Sequence, residues 1–276
     1  MCVEASTRNH RSTRSVREVL DDMHDMPRNI FQTWKSRSNL PANFSYWQST
    51  MRGLNPHYEY TIWDDADNRT FIESQFPWFL ECFDSYPAEI FRADAIRYFY
   101  LYSYGGLYAD LDTECLAPID KLLSEPCDII LGRMGDPSFA HSIPNAIMLS
   151  RPRQSFWLLV MSMMMAERSQ PRPEYATGPV LLRKAVELYE RRDAPERQAN
   201  LARVTGLLRE DQQCDPTSSR ITIMPPSAFY PLNWNDPIHD RFVRQPIVSE
   251  KRLPSPQEAA SLFPKSTMVT YWTHSW

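Results

Sequence analysis

Two aspartates, Asp110 and Asp112, stand two positions apart at the end of a short apolar run that follows a Gly105-Gly106 pair. Read as a strand over residues 107–112, this spacing puts both carboxylates on one face, about 7 Å apart at Cα, and turns Leu111 into the core. Hard oxygen donors with few His or Cys nearby favour Mg²⁺ or Mn²⁺ over zinc. A cation held there stabilises the charge that builds on a β-phosphate as a sugar leaves a nucleoside diphosphate. An Asp-x-Asp alone also occurs on loops without any such role. Its context therefore decides its meaning.

A second charged pair lies upstream. Residues 87–104 form a helical pattern that is apolar or aromatic around nearly its whole circumference, with only Arg92 and Ser103 suited to water. Asp94 and Arg97 lie on its apolar side, three residues apart and so neighbours on one face. Two charges in such a place cost several kcal/mol unless they are paired or liganded. One reading is a structural ion pair bracing the core. The other is a pair turned toward a polar ligand at one end of a sheet.

The elements that must position these residues follow from periodicity. Strands are expected at 29–34, 58–63, 107–112, 128–134, 146–149 and 221–224. Helices are expected at 43–54, from the Asp64-Asp65 cap to 75, at 87–104, 154–168 and 179–192. Strands alternating with helices imply an α/β fold whose sheet carries helices on both faces. Residues 1–26 are polar and read as a flexible tail, with a helix at 16–23, and the folded domain spans 27–276. The end of the chain, 268–276, is aromatic and β-prone. An end with so many aromatic rings is expected to pack rather than fray.

Composition bounds the function. The chain has 276 residues, a formal net charge of −4 and 42% hydrophobic residues. That suffices for a sizeable core and gives no basic field for nucleic acid. The five cysteines have no CxxC spacing, which argues against zinc and disulfide frameworks and for reduced thiols. No run reaches a membrane span and no signal peptide is visible. The expectation is a cytoplasmic or otherwise soluble protein, lumenal in the Golgi only if an N-terminal anchor has been removed.

The run from Phe91-Arg92-Ala93-Asp94-Ala95-Ile96-Arg97 through Gly105-Gly106-Leu107-Tyr108-Ala109-Asp110-Leu111-Asp112 resembles the sugar-binding, DXD-containing region of glycosyltransferase family 32. Fungal initiating mannosyltransferases and inositol-phosphoceramide mannosyltransferases are members. Similarity extends to the 27–35 and 55–65 segments, Asn145 to Pro152, Thr177-Gly178-Pro179 and the terminal Ser275-Trp276. The resemblance implies a GT-A type nucleotide-diphospho-sugar transferase fold with a mixed central sheet flanked by helices. It implies that Asp94, Arg97 and Asp110 do the catalytic work. Donor contacts would come from Phe31, Gln32, Trp34, Asp94, Arg97, Gly106, Asp110, Ser275 and Trp276. Asp112, Asp110 and His274 would hold Mn²⁺ or Mg²⁺, and Trp276 would cap the donor. The chain departs from the family at Phe31 and Tyr271, where His is usual.

The expected activity is metal-dependent, retaining transfer of a hexose from GDP-mannose or a UDP-hexose to a hydroxyl acceptor on a glycan, lipid or small molecule. Two other classes compete. One is a non-catalytic nucleotide-sugar or glycan-binding protein. The other is a hydrolase, disfavoured because glycosidase carboxylates face each other across the scissile bond.

Overall fold

The computed structural model describes residues 26–123, 127–214, 219–249 and 253–273. The tail expected at 1–26 and its helix at 16–23 fall outside the described residues except for Met26.

Strands β1 (Asn29–Thr33), β2 (Glu59–Trp63), β3 (Gly106–Ala109), β5 (Ile129–Gly132), β6 (Ile147–Ser150) and β7 (Ile221–Met224) form a six-stranded sheet in the order β2-β1-β3-β6-β5-β7. β1 runs parallel to β2 and β3, β6 is antiparallel to β3 and β5, and β5 is parallel to β7. The sheet is mixed, as the family resemblance implies. Two further strands, β4 (Thr113–Cys115) and β8 (Met268–Thr270), pair antiparallel as a separate ribbon.

Side-chain alternation divides the core into two layers. Phe31, Tyr108, Met148, Ile129 and Leu131 face one side. They pack with α2 (Asp65–Gln75), α3 (Pro77–Ser85), α4 (Glu89–Tyr104), α5 (Ser155–Ala166) and α7 (Pro179–Glu190). Their sequence neighbours Ile30, Leu107, Ile147, Leu149 and Ile130 face the other side, with Met51 of α1 (Ala42–Leu54) and Phe229 of α9 (Pro226–Phe229). Strands buried on both faces read as continuous apolar runs, which is how they stand in the sequence.

α4 is the central helix, with eleven of its sixteen residues buried. It begins at Glu89, two residues later than Pro87 suggests, and Gly105 ends it with its N–H on the Leu101 carbonyl. Gly106 then adopts φ +96°, and a Cβ there would lie 2.4 Å from the Asn29 carbonyl oxygen. Only glycine lets β3 leave the helix this close to β1. Among the described residues Cys82, Cys115, Cys127 and Cys214 are free thiols. No described helix is long and apolar enough to cross a membrane.

Candidate active site

The strand expected at 107–112 is shorter. β3 stops at Ala109: the Asp110 N–H still pairs with the Ala146 carbonyl as a last rung, but the Asp110 carbonyl accepts from the Thr113 N–H at 3.1 Å and turns the chain. Asp110-Leu111-Asp112 is therefore a turn joining β3 of the main sheet to β4 of the ribbon. The alternation rule for strands does not apply to it. The convergence survives for another reason: both aspartates line one cavity of about 360 Å³, while Leu111 is buried against Trp34, Phe44 and Val269. From behind, the buried Gln32 amide donates to the Asp110 carbonyl at 3.1 Å and accepts from Tyr60 Oη at 2.5 Å.

Asp94 and Arg97 line the same cavity. Arg97 Nη2 meets Asp94 Oδ1 at 2.7 Å and Nη1 meets Asp110 Oδ1 at 3.1 Å, so one guanidinium bridges the helix carboxylate and the turn carboxylate. Two further donors go to the Asn145 carbonyl at 2.9 Å and the Ala93 carbonyl at 3.0 Å, and its plane lies over the Tyr108 ring at 5.0 Å. Tyr108 Oη donates to Asp110 Oδ1 at 2.8 Å. Asn145 Nδ2 donates to Asp94 Oδ1 at 3.1 Å, and Tyr98 Oη donates to the Thr177 carbonyl at 2.7 Å. Gly178 contributes by having no side chain, since a Cβ there would press on Asp94 Oδ2 at 3.0 Å.

The electrostatics follow from burial. Desolvation raises Asp94 and Asp110 to about 6, against the pull of Arg97. Burial also raises Asp112, opposed by hydrogen bonds from Thr273. For Arg97 burial works against the charge, but Asp110, Tyr108 and Asp94 outweigh it and the guanidinium stays protonated. Two carboxylates share one cation here, so the cluster has acceptor capacity and negative charge to spare toward the cavity.

The other expected donor residues divide. Trp34 lines the cavity, edge-on to Phe44 at 4.9 Å. Gln32 stands one layer behind, supporting the turn. Phe31 is not brought to the cavity: it is stacked on Tyr100 and Tyr104 in the layer beneath α4, because β1 alternates and Gln32 takes the opposite face. Gly106 sits at the start of β3 against Asn29, away from the cavity lining. His274, Ser275 and Trp276 lie outside the described residues. Sequence reasoning missed Asn145, Tyr108, His141, Glu174, Trp234, Trp272 and Thr273. All except Tyr108 line the cavity. Asn145 left one trace, a Pro-Asn pair opening a buried strand. Tyr108 sits on β3 two positions before Asp110, and the others come from segments distant from the DXD run in the chain.

The residues present suit a divalent cation. Asp112 lines the cavity with both Thr273 bonds taken by Oδ2 and neither by Oδ1, and the donors are carboxylate oxygens. The described residues contain no group of three or more His, Cys, Asp or Glu that would hold a metal ion unaided. Phosphate oxygens and water would complete the coordination.

Residues 41–128 match the family model described as the glycosyltransferase sugar-binding region containing DXD motif. Inositol phosphoceramide mannosyltransferase 2 of Schizosaccharomyces pombe is 35% identical over 190 residues, 62% of this chain and 51% of that one. Mannosyl phosphorylinositol ceramide synthase CSH1 of Saccharomyces cerevisiae is 40% identical over 135 residues, 49% of this chain and 34% of that one. The chain thus spans about half the length, or less, of these relatives. Among solved structures, PaToxG Glycosyltransferase aligns with a TM-score of 0.49 and 16% identity over 69% of this chain and 82% of that one. Asp110-Leu111-Asp112 falls inside residues 41–128, the part of the chain that matches the glycosyltransferase sugar-binding region containing DXD motif.

Proposed function

We propose that this chain, with 27–276 as its folded unit, is a glycosyltransferase. It would move a hexosyl group from a nucleotide-sugar to an acceptor hydroxyl, using a divalent cation held by Asp110 and Asp112. The observation that carries the reading is the single guanidinium of Arg97 bridging Asp94 and Asp110 in one cavity wall beside Asp112. GDP-mannose is the leading donor and the hydroxyl of an inositol-bearing phosphosphingolipid the leading acceptor, on the names of the relatives.

When bound, the cation would supply charge neutralisation at the leaving diphosphate. The chain's own residues do the rest. Asp94 and Asp110 accept hydrogen bonds from sugar and ribose hydroxyls, and Arg97 fixes the angle between the two carboxylates. Trp34 offers an indole face for the base, and Trp234 and Trp272 narrow the cavity against water. Both carboxylates proposed to face the sugar are paired with Arg97, which lowers the nucleophilicity of each and disfavours a covalent intermediate. Transfer would therefore proceed on the front face with retention, the departing phosphate taking the acceptor proton.

The test is a donor panel of GDP-mannose, UDP-glucose, UDP-galactose and UDP-N-acetylglucosamine, with and without Mn²⁺. Released nucleoside diphosphate is the readout and Asp110→Asn the control. Release from GDP-mannose that needs Mn²⁺ and is lost in the control supports the reading. Donor binding by parent and control alike, with no release even when acceptor is supplied, would favour a non-catalytic binding protein.

A further inference from the structure

The C-terminal described residues do something specific to Asp112. β8 ends at Thr270, paired with Thr113 across the ribbon, and the Tyr271 N–H donates to the Asp112 carbonyl at 3.0 Å. The next residue, Trp272, takes the left-handed conformation at φ 53°, which a bulky side chain rarely adopts. Three contacts hold it there. Its indole N–H donates to the Leu232 carbonyl at 3.0 Å, its carbonyl accepts from Arg244 Nη1 at 2.8 Å, and its ring lies 5.5 Å from that of Tyr230. The outcome of the turn is Thr273, whose N–H and hydroxyl both donate to the same atom, Asp112 Oδ2, at 2.8 and 3.1 Å.

A strained residue held by several independent contacts is maintained for what it positions. A carboxylate with two donors on one oxygen has lost its rotational freedom and has one oxygen left to give. We propose that Thr273, aimed by the left-handed turn at Trp272, is a positioning residue. It saturates Oδ2 and holds Asp112 in one orientation, so that the carboxylate offers a cation Oδ1 alone. This inference rests on the proposed metal site. It assigns Asp112 a monodentate contact and accounts for a turn that the sheet pairing by itself does not require. Hydrogen bonds of this kind, one step removed from a metal, typically change its affinity about 10- to 100-fold when lost.

The experiment measures Mn²⁺ binding to the full chain without donor, from the paramagnetic resonance signal of free Mn²⁺, so that turnover does not enter. Thr273→Val keeps the N–H and the shape but removes the hydroxyl. Thr273→Ser restores the hydroxyl. Metal-free melting temperatures verify folding of both. The expected result is a Kd for Mn²⁺ about 10-fold weaker in Thr273→Val and within about 2-fold of the parent in Thr273→Ser. Equal affinity in Thr273→Val would overturn the proposal. Tighter binding would do so in a different way, by showing that Thr273 competes with the cation for Oδ2. If Asp112→Asn binds Mn²⁺ as the parent does, or if neither binds it, the metal reading fails and this inference fails with it.

Discussion

Asp94→Asn separates the two roles open to the charged pair on α4. Asp94 is 6% exposed, and burial lifts its carboxyl from 3.8 to about 6 in spite of Arg97. Holding it ionised at pH 7 therefore costs the fold on the order of 3 kcal/mol. The sign is set by the upward shift. The stability associated with Asp94 is complete below about 3.8 and is lost as pH rises through about 6. An asparagine has no such loss. It weakens the charge-assisted bonds from Arg97 and Asn145 by about 1 kcal/mol, and Arg97 is not stranded because Asp110 still faces it. Asp94→Asn should thus be as stable as the parent at pH 7 or more stable by up to about 2 kcal/mol, and the advantage should shrink toward pH 4. Donor turnover should fall about 100-fold, because a neutral amide replaces a charged acceptor in the cavity wall. Urea melts at pH 4.5 and 7.0, beside nucleoside diphosphate release per folded molecule, measure both. A melting temperature lower by about 5 °C at pH 7, with turnover intact, would refute the reasoning and make Asp94 a structural brace.

Three other outcomes are expected. Asp112→Ala should abolish Mn²⁺-dependent turnover with little change in metal-free melting, and EDTA should silence the parent until Mn²⁺ or Mg²⁺ is restored; turnover at verified zero metal would refute this. Arg97→Lys should lower stability by about 3 kcal/mol in urea melts, since one ammonium cannot span Asp94, Asp110 and the Asn145 carbonyl as the guanidinium does. Gly106→Ala should cost at least about 3 kcal/mol, from a Cβ pressed on Asn29 and a positive φ, and a thermal melt within about 2 °C of the parent would count against it.

The sequence discloses what periodicity controls. Strands buried on both faces stand out as apolar runs, and α4 with its Gly-Gly stop is unmistakable. Because three-residue spacing on a helix is a geometric constraint, the pairing of Asp94 with Arg97 is legible from their positions in the chain. Several helices give no such signal, α3 and α8 (Pro195–Thr205) among them. α3 is short, and α8 is largely polar, so neither shows an apolar stripe long enough to count. The DXD segment reads as a strand because its alternation does not show that the Asp110 carbonyl turns back to the Thr113 N–H and ends β3 at Ala109. The β4–β8 ribbon pairs residues more than 150 positions apart, as at Thr113 and Thr270. Such pairing leaves no local trace, and Thr273 accordingly has nothing to mark it.

The ribbon also bears on how the protein is made. Asp112 and Thr273 are separated by 161 positions. At translation rates of about 5–20 residues per second, the acidic turn leaves the ribosome roughly 8–30 s before its partner. Through that interval β4 has no β8 beside it, and the Asp112 carboxylate can rotate. Loop closure over so long a separation is intrinsically slow. The main sheet has its last strand, β7, before the residue that fixes the Asp112 carboxylate is made.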